Sequence, residues 1–229
     1  MVTEPAHVAG NDDGRRSDGA TWQRTTCSAE TGEIAAFYDQ LVRRFGRDPR
    51  ALDWRSRASQ LKRFEILAEV GELAGCRVLD VGCGLGDLHD FLAAKQISTD
   101  YAGWDIAPAM VEAAKRRLPH AEIRLMDIAA THIEPSRFDF VIASGLFSLR
   151  TMQPYAYVAE TVRRMLELCR RAVAFNSLSA RWASTNATVE DGRFVADPAR
   201  TLDICLELTP NVVLRHDYMP HDFTIYLYK

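Results

Sequence analysis

Glycines and carboxylates recur at the ends of predicted strands, in a spacing that can hold a nucleoside. The predicted strand Arg77–Val81 runs into a glycine-rich loop, Gly82–Gly86 (GCGLG), which opens a helix. Glycine allows the sharp turn there and lets a ligand approach the backbone closely. Asp105 ends the next predicted strand, 19 residues beyond the loop, and Asp127 ends the third. A carboxylate at the tip of the second strand is placed to accept hydrogen bonds from both ribose hydroxyls.

Each of these residues has a simpler interpretation when it is taken alone. A GxGxG loop can be a tight strand-to-helix turn without a ligand, and an isolated Asp more often caps a helix or forms a turn. Here three successive strands end in Asp (Asp80, Asp105 and Asp127), and the first of them leads into the glycines. Together they favour a nucleoside site at the carboxyl edge of a parallel sheet.

The charges around the loop indicate which nucleoside it binds. A dinucleotide site has the pattern GxGxxG and a helix N-terminus that faces pyrophosphate. Here Asp87 occupies the third glycine position, and Asp80 precedes the first glycine by two residues. Carboxylates repel pyrophosphate and attract an ammonium group. We therefore predict a ligand that contains adenosine, lacks phosphate and carries positive charge, a description that S-adenosylmethionine fits.

At this point the sequence resembles the class I S-adenosylmethionine-dependent methyltransferases. The resemblance covers roughly Trp54 to Lys229. The motifs that carry it are Val78–Leu88 (VLDVGCGLGDL), Asp105-Ile106, Asp127-Ile128 and Phe138–Ser144 (FDFVIAS). It implies S-adenosylmethionine as cofactor, and cofactor contacts from Gln60, Arg63, Asp80, Gly82, Cys83, Gly84, Asp105, Ile106, Asp127, Ile128, Ser144 and Gly145.

The resemblance also implies what most of these residues do. The backbone at the first two loop glycines would touch the methionine part, and Asp80 would hold the loop or the ammonium. Asp105 would bind the ribose hydroxyls, with Ile106 packed on adenine. Asp127 would accept from the adenine amine, beside the Ile128 amide. Ser144 and Gly145 would offer backbone to the ammonium. Gln60 and Arg63 would reach the methionine carboxylate, although solvated surface is an equal alternative for them.

The elements around the motifs predict a doubly wound α/β fold. Strands alternate with helices from Arg77 onward, which is typical of a parallel sheet. The chain ends in two strand-like runs around a turn, and the resemblance implies a seven-stranded Rossmann-like sheet with a terminal antiparallel hairpin. We predict a disordered tail over residues 1–30 and a single domain over 31–229. Within it, two helices (Thr31–Phe45 and Trp54–Leu73) form a lid over 31–73, and 74–229 hold the cofactor.

The substrate would face the carboxyl edge of the sheet. Candidate walls are Tyr38 on the first helix, Phe147 after the fourth strand and Trp182 in an irregular segment. His216 and His221 flank the turn of the terminal hairpin, and either can act as a general base, as Tyr38 can act in catalysis. Surface histidines that stabilise a turn, and a tyrosine that only packs, are the alternatives.

Composition narrows the remaining classes. The chain has 229 residues and a formal net charge of −3, without the basic field of non-specific nucleic-acid binding. No apolar run has the ~18 to 20 residues that span a bilayer, and the N-terminus lacks a signal-peptide pattern. Five cysteines without CxxC spacing predict reduced thiols in a cytoplasmic protein. Ser144 and Asn176 stand where related metal-dependent enzymes have carboxylates, so no metal is expected.

The preferred function is methyl transfer to N or O of a small molecule, in bacterial specialised metabolism. One alternative is RNA methylation, because eight basic residues lie between Arg43 and Arg63 and could follow phosphates. A solvated helix face also explains that run. Another alternative is a non-catalytic S-adenosylmethionine-binding regulatory module. The sequence predicts no membrane partner and does not specify the oligomeric state.

Overall fold

A computed structural model describes residues 19–53, 56–131, 134–149, 151–183 and 192–229. Its centre is a seven-stranded sheet in the order β3-β2-β1-β4-β5-β7-β6. The strands are β1 Arg77–Val81, β2 Asp100–Asp105, β3 Glu122–Leu125, β4 Phe138–Ala143, β5 Cys169–Leu178, β6 Val212–Arg215 and β7 Asp222–Tyr228. The fold class predicted from the sequence is confirmed.

The direction of the last two strands decides where the terminal turn lies. β1 to β5 are parallel, and β7 is antiparallel to both β5 and β6. β6 therefore runs in the same direction as β1 to β5. The turn between β6 and β7 accordingly lies at the carboxyl edge of the sheet, the edge that carries ligands in doubly wound folds.

Helices cover the sheet, and their starts follow local sequence signals. Pro108 occupies the first turn of α4, where its fixed φ suits a helix and its missing N–H costs nothing. Asp197 caps α7 by accepting from Ala199 N at 2.8 Å and Arg200 N at 3.1 Å. The described helices are α1 Gly19–Phe45, α2 Arg57–Ala68, α3 Asp87–Ala94, α4 Pro108–Arg117, α5 Pro154–Leu168, α6 Ala180–Ala183 and α7 Pro198–Leu206, with a 3₁₀ turn at Pro49–Leu52.

The first helix begins earlier than predicted. The sequence predicts a helix from Thr31, whereas α1 begins at Gly19. The disordered-tail prediction is thus corrected for residues 19–30, and residues 1–18 lie outside the described part of the chain. No Gly or Pro occurs from Ala20 to Thr31. Without such a breaker a helix can extend even where apolar periodicity is missing.

Two apolar clusters hold the helices against the two faces of the sheet. One contains the fully buried rings of Trp104, Phe138 and Phe175. The other joins α2, through Phe64 and Leu67, to the opposite face. Burial of these side chains fixes the carboxyl ends of β1, β2, β4 and β5 relative to one another.

A glycine in β2 provides a test of this packing. A Cβ added at Gly103 would lie 2.8 Å from Cys83 Sγ and 2.9 Å from Cys83 Cβ. We expect Gly103→Ala to lower the free energy of unfolding by about 1–3 kcal/mol, because the core must move to accept it. Urea unfolding measures this change. The control is Gly32→Ala in α1, where nothing lies within 4 Å and alanine favours the helix by up to about 1 kcal/mol. Equal stability of the two variants would contradict the packing described here.

Candidate active site

Two cavities open side by side at the carboxyl edge of the sheet. The small cavity has a volume of about 80 Å³ and lies over the glycine loop. The large cavity, of about 360 Å³, lies between α2, the end of β5 and the start of β7. Leu52 and Gly145 line both of them. A group held in one cavity is therefore next to a group held in the other.

Nine of the twelve predicted cofactor residues line the small cavity. They come from α2, the β1 loop, the end of β2 and the end of β4, which are distant in sequence. The nine are Gln60, Asp80, Gly82, Cys83, Gly84, Asp105, Ile106, Ser144 and Gly145.

The glycine loop has a backbone that other residues rarely adopt. Gly82, Gly84 and Gly86 have φ values of 71°, 54° and 80°. A Cβ at Gly84 would lie 2.5 Å from Leu52 Cδ2, so glycine is required there by both conformation and space. The Gly82 amide donates to Trp104 O at 2.8 Å, which ties the loop to the end of β2.

Asp105 is buried and held by backbone amides. Its Oδ2 accepts from Gly84 N at 2.8 Å and its Oδ1 from Ala107 N at 2.9 Å. Burial raises its pKa from the ordinary value, while these amides lower it. Each carboxylate oxygen has a second lone pair. Asp105 is thus oriented at the small cavity with acceptor capacity left for a diol.

Asp80 is a second buried carboxylate beside the loop. Its Oδ2 accepts from Tyr101 Oη at 2.7 Å. Burial above all, with a smaller contribution from the charges of Asp105 and Asp87, raises the pKa of Asp80 to about 7, although the hydrogen bond from Tyr101 acts to lower it. A cation in the small cavity would favour the ionised form.

Gln60 and Arg63 separate, although both face inward from α2. Gln60 Nε2 donates to Asp87 Oδ2 at 3.0 Å, beside the loop. Arg63 instead lines the large cavity, where it pairs with Asp222. Arg63 does not line the small cavity, because its longer side chain reaches the start of β7, and its cofactor contact stays a prediction.

Asp127 and Ile128 do not line the small cavity as the structure describes it. Asp127 Oδ2 accepts from Thr31 Oγ1 of α1 at 3.0 Å, and its Oδ1 from Ala129 N at 2.9 Å. Ile128 is buried in the core. Asp127 thus accepts from a hydroxyl of α1, and its contact with adenine stays a prediction.

Tyr38 lies where the two cavities meet. It lines the small cavity, and its Oη is 3.4 Å from Oγ of Ser148, which lines the large one. Burial raises the pKa of Tyr38, so its phenol stays protonated at neutral pH. It can act as a donor at this junction.

Two further predicted residues line the large cavity: Trp182, predicted as a substrate wall, and His221, predicted as a general base. Their ring centroids are 5.7 Å apart, and His221 Nε2 lies 3.6 Å from Asp222 Oδ2. His216 lines neither cavity, and its ring packs against Phe223. Phe147 is corrected from a substrate wall to a core residue, because it is 2% exposed and packs edge-on against Phe175.

Three residues of the large cavity were missed as ligand-binding candidates. Asn176 Oδ1 accepts from Gly145 N at 2.7 Å, which connects the ends of β4 and β5. Its position near the end of a parallel strand could have indicated it. Asp53 and Arg193 form an ion pair at 2.5 Å from two loops 140 residues apart, for which the sequence has no local signal.

Comparisons with known proteins assign the chain to a family. A family model described as a methyltransferase domain matches residues 78–168. A protein of Mycobacterium tuberculosis named as a methyltransferase is 34% identical over 155 residues, which are 66% of this chain and 91% of that protein. The crystal structure of magnesium protoporphyrin IX methyltransferase from Synechocystis PCC 6803 with bound S-adenosylhomocysteine has a TM-score of 0.58 and 16% identity, covering 75% of this chain and 83% of that one. The chain belongs to the class I S-adenosylmethionine-dependent methyltransferases.

The methyltransferase is thus an enzyme, and S-adenosylmethionine is its cofactor. The small cavity fits that group chemically, with Asp105 for a diol and Asp80 for an ammonium. Ser144 Oγ is buried at this cavity with no hydrogen-bond partner in the described part of the chain, so it can bind a ligand atom. A trans-aconitate 2-methyltransferase of Methylobacterium nodulans is 37% identical over 71 residues, 31% of this chain and 28% of that protein.

Other features of the methyltransferase bear on metals, membranes and RNA. Its described residues contain no group of three His, Cys, Asp or Glu side chains able to hold a metal. Among them, no helix has both the length and the apolarity to cross a bilayer. Four of the eight basic residues between Arg43 and Arg63 form ion pairs: Arg50 with Asp48, Arg57 with Asp87, Lys62 with Glu65 and Arg63 with Asp222. Arg43, Arg44 and Arg47 are exposed. Arg55 lies outside the described residues.

Proposed function

We propose that this enzyme transfers a methyl group to a nitrogen or oxygen of a small molecule held in the large cavity. The observation that supports this is the wall at Leu52 and Gly145 that the large cavity shares with the small cavity, to which we assign the cofactor. Its volume of about 360 Å³ lies in the range of small-molecule pockets. A cytoplasmic location and a role in specialised metabolism stay predictions.

The residues around the junction have to align the two reactants and exclude water. When bound, S-adenosylmethionine supplies a methyl group on a positively charged sulfur. Asp105 holds the ribose side and Asp80 the ammonium side of the small cavity. Tyr38, through Ser148, fixes the boundary with the large cavity, and His221 is the candidate base there. His216 lines neither cavity, so His221 is the better placed of the two histidines.

The position of α1 supports the proposed lid over residues 31–73. The small cavity, at about 80 Å³, is smaller than the roughly 300 Å³ of the smallest ordinary ligand pockets. α1 is fastened across it by Thr31 on Asp127 and by Asp39, whose Oδ1 accepts from Ala109 N at 2.8 Å. Cofactor access therefore requires α1 and the 3₁₀ turn to move.

The deciding experiment uses S-adenosylmethionine with a labelled methyl group and a cell extract separated into small-molecule, RNA and protein fractions. Label in the small-molecule fraction is expected. Label confined to RNA would support the RNA alternative, and label confined to protein would exclude a small-molecule acceptor. Reactions with heat-inactivated enzyme provide the background.

The pKa of Asp80 predicts pH-dependent cofactor binding. An ammonium group beside Asp80 favours its ionised form, so binding below pH 7 must first release a proton. We expect the affinity for S-adenosylhomocysteine to fall by roughly tenfold from pH 8 to pH 6, given a pKa of about 7. Calorimetry in buffers of different ionisation enthalpy measures both affinity and proton release. Asp80→Asn keeps an acceptor for Tyr101 and should remove the dependence; an unchanged pH profile in that variant would reject Asp80 as its source.

A further inference from the structure

The charged side chains that line the large cavity are paired with one another. Arg63 pairs with Asp222, and both are buried. Arg193 Nη2 lies 2.5 Å from Asp53 Oδ2. Apart from His221, these four are the ionisable groups among the described lining residues, so their formal charges cancel. An anionic or cationic ligand would have to separate a pair or stay buried without a counter-ion, and both are costly.

The neutral part of the lining is rich in hydroxyl groups. Five serines contribute to it: Ser56, Ser59, Ser148, Ser177 and Ser179. A hydroxyl donates one hydrogen bond and accepts two, so it matches another hydroxyl in either direction. A carboxylate or an ammonium would use only one of these capacities.

Two polar groups of the lining, one amide and one hydroxyl, lack a protein hydrogen-bond partner in the described part of the chain. Asn176 Nδ2 and Ser177 Oγ are buried and form no hydrogen bond there, in residues that are 1% and 5% exposed. A buried donor left unpaired destabilises the folded protein, and a hydrogen bond to a ligand oxygen would remove that penalty. Both groups come from the end of β5, next to the Gly145 junction.

The rest of the wall is apolar. Leu52, Leu178, Val195 and Trp182 contribute carbon surface to the same cavity. A ligand that fits both parts has C–H faces and oxygen-bearing edges. Ring polyols have this combination without a net charge.

We propose that the acceptor is a neutral polyhydroxylated compound of the glycoside type, methylated on one of its hydroxyl oxygens. This inference rests on the proposed function. The hydroxyl proton passes to the His221 imidazole, and Asp222, 3.6 Å from Nε2, stabilises the resulting imidazolium. The oxygen forms its new bond to the methyl carbon, and the carbon–sulfur bond breaks with its electron pair left on sulfur. The products are a methyl ether and S-adenosylhomocysteine.

The test compares sugars that differ only in charge. The probes are the p-nitrophenyl glycosides of glucose and rhamnose, the glucuronide, which carries a carboxylate, and the glucosaminide, which carries an ammonium. Binding to the enzyme with S-adenosylhomocysteine is followed by saturation-transfer NMR, and methylation by label from S-adenosylmethionine. We expect the affinity for the charged probes, and their rate of methylation, to be about 10- to 100-fold lower than for the neutral ones. This is the usual effect of an uncompensated polar group.

The outcomes separate this inference from the proposed function. Alkali-stable label on a neutral glycoside supports the inference. Preference for the glucuronide or the glucosaminide, label released by alkali as from an ester, or no binding of either neutral glycoside would overturn it. Label in other small molecules of the extract would then still support the proposed function, which fails only if no small molecule is labelled.

A variant at Asp53 changes the net charge of the large cavity and should change its preference for charged ligands accordingly. Asp53 has a φ of 59°, a conformation that asparagine tolerates well, so Asp53→Asn should fold. It leaves Arg193 without its carboxylate and gives the lining one positive charge. We expect the preference for the glucuronide over the neutral glucoside to rise by about tenfold or more. The control is Asp203→Asn on the exposed side of α7, which should leave the preference as in the wild type.

Ser177→Ala gives a second, smaller change at the same cavity. It removes one hydroxyl that the inference assigns to the ligand. We expect KM for the neutral glycoside to rise by about 5- to 20-fold, with the affinity for S-adenosylhomocysteine unchanged. The matched control is Ser98→Ala at an exposed position. An unchanged KM would contradict the ligand contact.

Discussion

Replacement of Asp105 by alanine is expected to weaken S-adenosylhomocysteine binding by about 1–3 kcal/mol, or roughly 5- to 150-fold. The reason is that two ribose hydroxyls would lose their acceptor in a buried place. Asp105 is 7% exposed and its orientation is fixed by Gly84 N and Ala107 N. Isothermal calorimetry measures the affinity directly.

The same variant also leaves two buried amides without an acceptor, so binding and stability have to be separated. Asp105→Asn keeps the shape of the side chain and one acceptor oxygen. The other oxygen is replaced by an NH2 group, a donor that faces a backbone N–H. Asp100→Ala, at the exposed start of the same strand, is the matched control and should bind as the wild type does. Urea unfolding of all three variants shows how much of the loss of affinity comes from a less stable fold. Unchanged affinity in a folded Asp105→Ala protein would reject the ribose assignment.

Sequence reasoning succeeded where the signal is local. The strand Arg77–Val81 has the bounds that the sequence predicts, and the helix α4 begins at Pro108. Each is delimited by its own residues: a β-branched apolar run before glycines, and a proline at the first helical turn. The glycine loop directly follows this strand, and Asp105 lies three residues before the start of this helix. For that reason the small cavity contains most of the residues predicted for it.

The sequence was less informative where the contacts of long side chains and the positions of loops determine the site. Gln60 and Arg63 are one helical turn apart, yet Gln60 reaches Asp87 and Arg63 reaches Asp222. The sequence predicts Asp127 at the end of the third strand, whereas β3 ends at Leu125 and Asp127 accepts from the hydroxyl of Thr31, 96 residues earlier. The destination of a flexible side chain depends on tertiary packing, which periodicity does not encode.

The large cavity shows this limit most clearly. Its ion pair of Asp53 and Arg193 joins two loops, and Asn176 acts through the backbone of Gly145. Phe147 shows the converse error, since an aromatic residue after a strand more often fills the core than binds a ligand. Substrate recognition here is built from segments without strong patterns, as is usual for loops that carry specificity.

The two cavities are also mechanically connected. Asn176 holds the Gly145 amide with Oδ1, while its buried Nδ2 remains for a ligand in the large cavity. Tyr38 performs a similar bridging contact through Ser148. A substrate that binds Asn176 therefore acts on the strand end that adjoins the cofactor.

The removal of His221 should have the largest kinetic effect if the acceptor is a hydroxyl. His221→Ala is expected to lower kcat by about 10²- to 10⁴-fold, the usual contribution of a general base. Its affinity for S-adenosylhomocysteine should stay that of the wild type, because His221 lines only the large cavity among the two described. The residual rate should rise with pH as the hydroxyl ionises on its own, whereas the wild-type rate levels off. Stopped assays over a pH series measure both.

His216→Ala, in the same turn but outside both cavities, is the control and should keep near wild-type turnover. Wild-type kcat in His221→Ala would show that the proton leaves by another route, and a normal pH profile with reduced kcat would assign His221 to packing against Trp182 instead of to proton transfer.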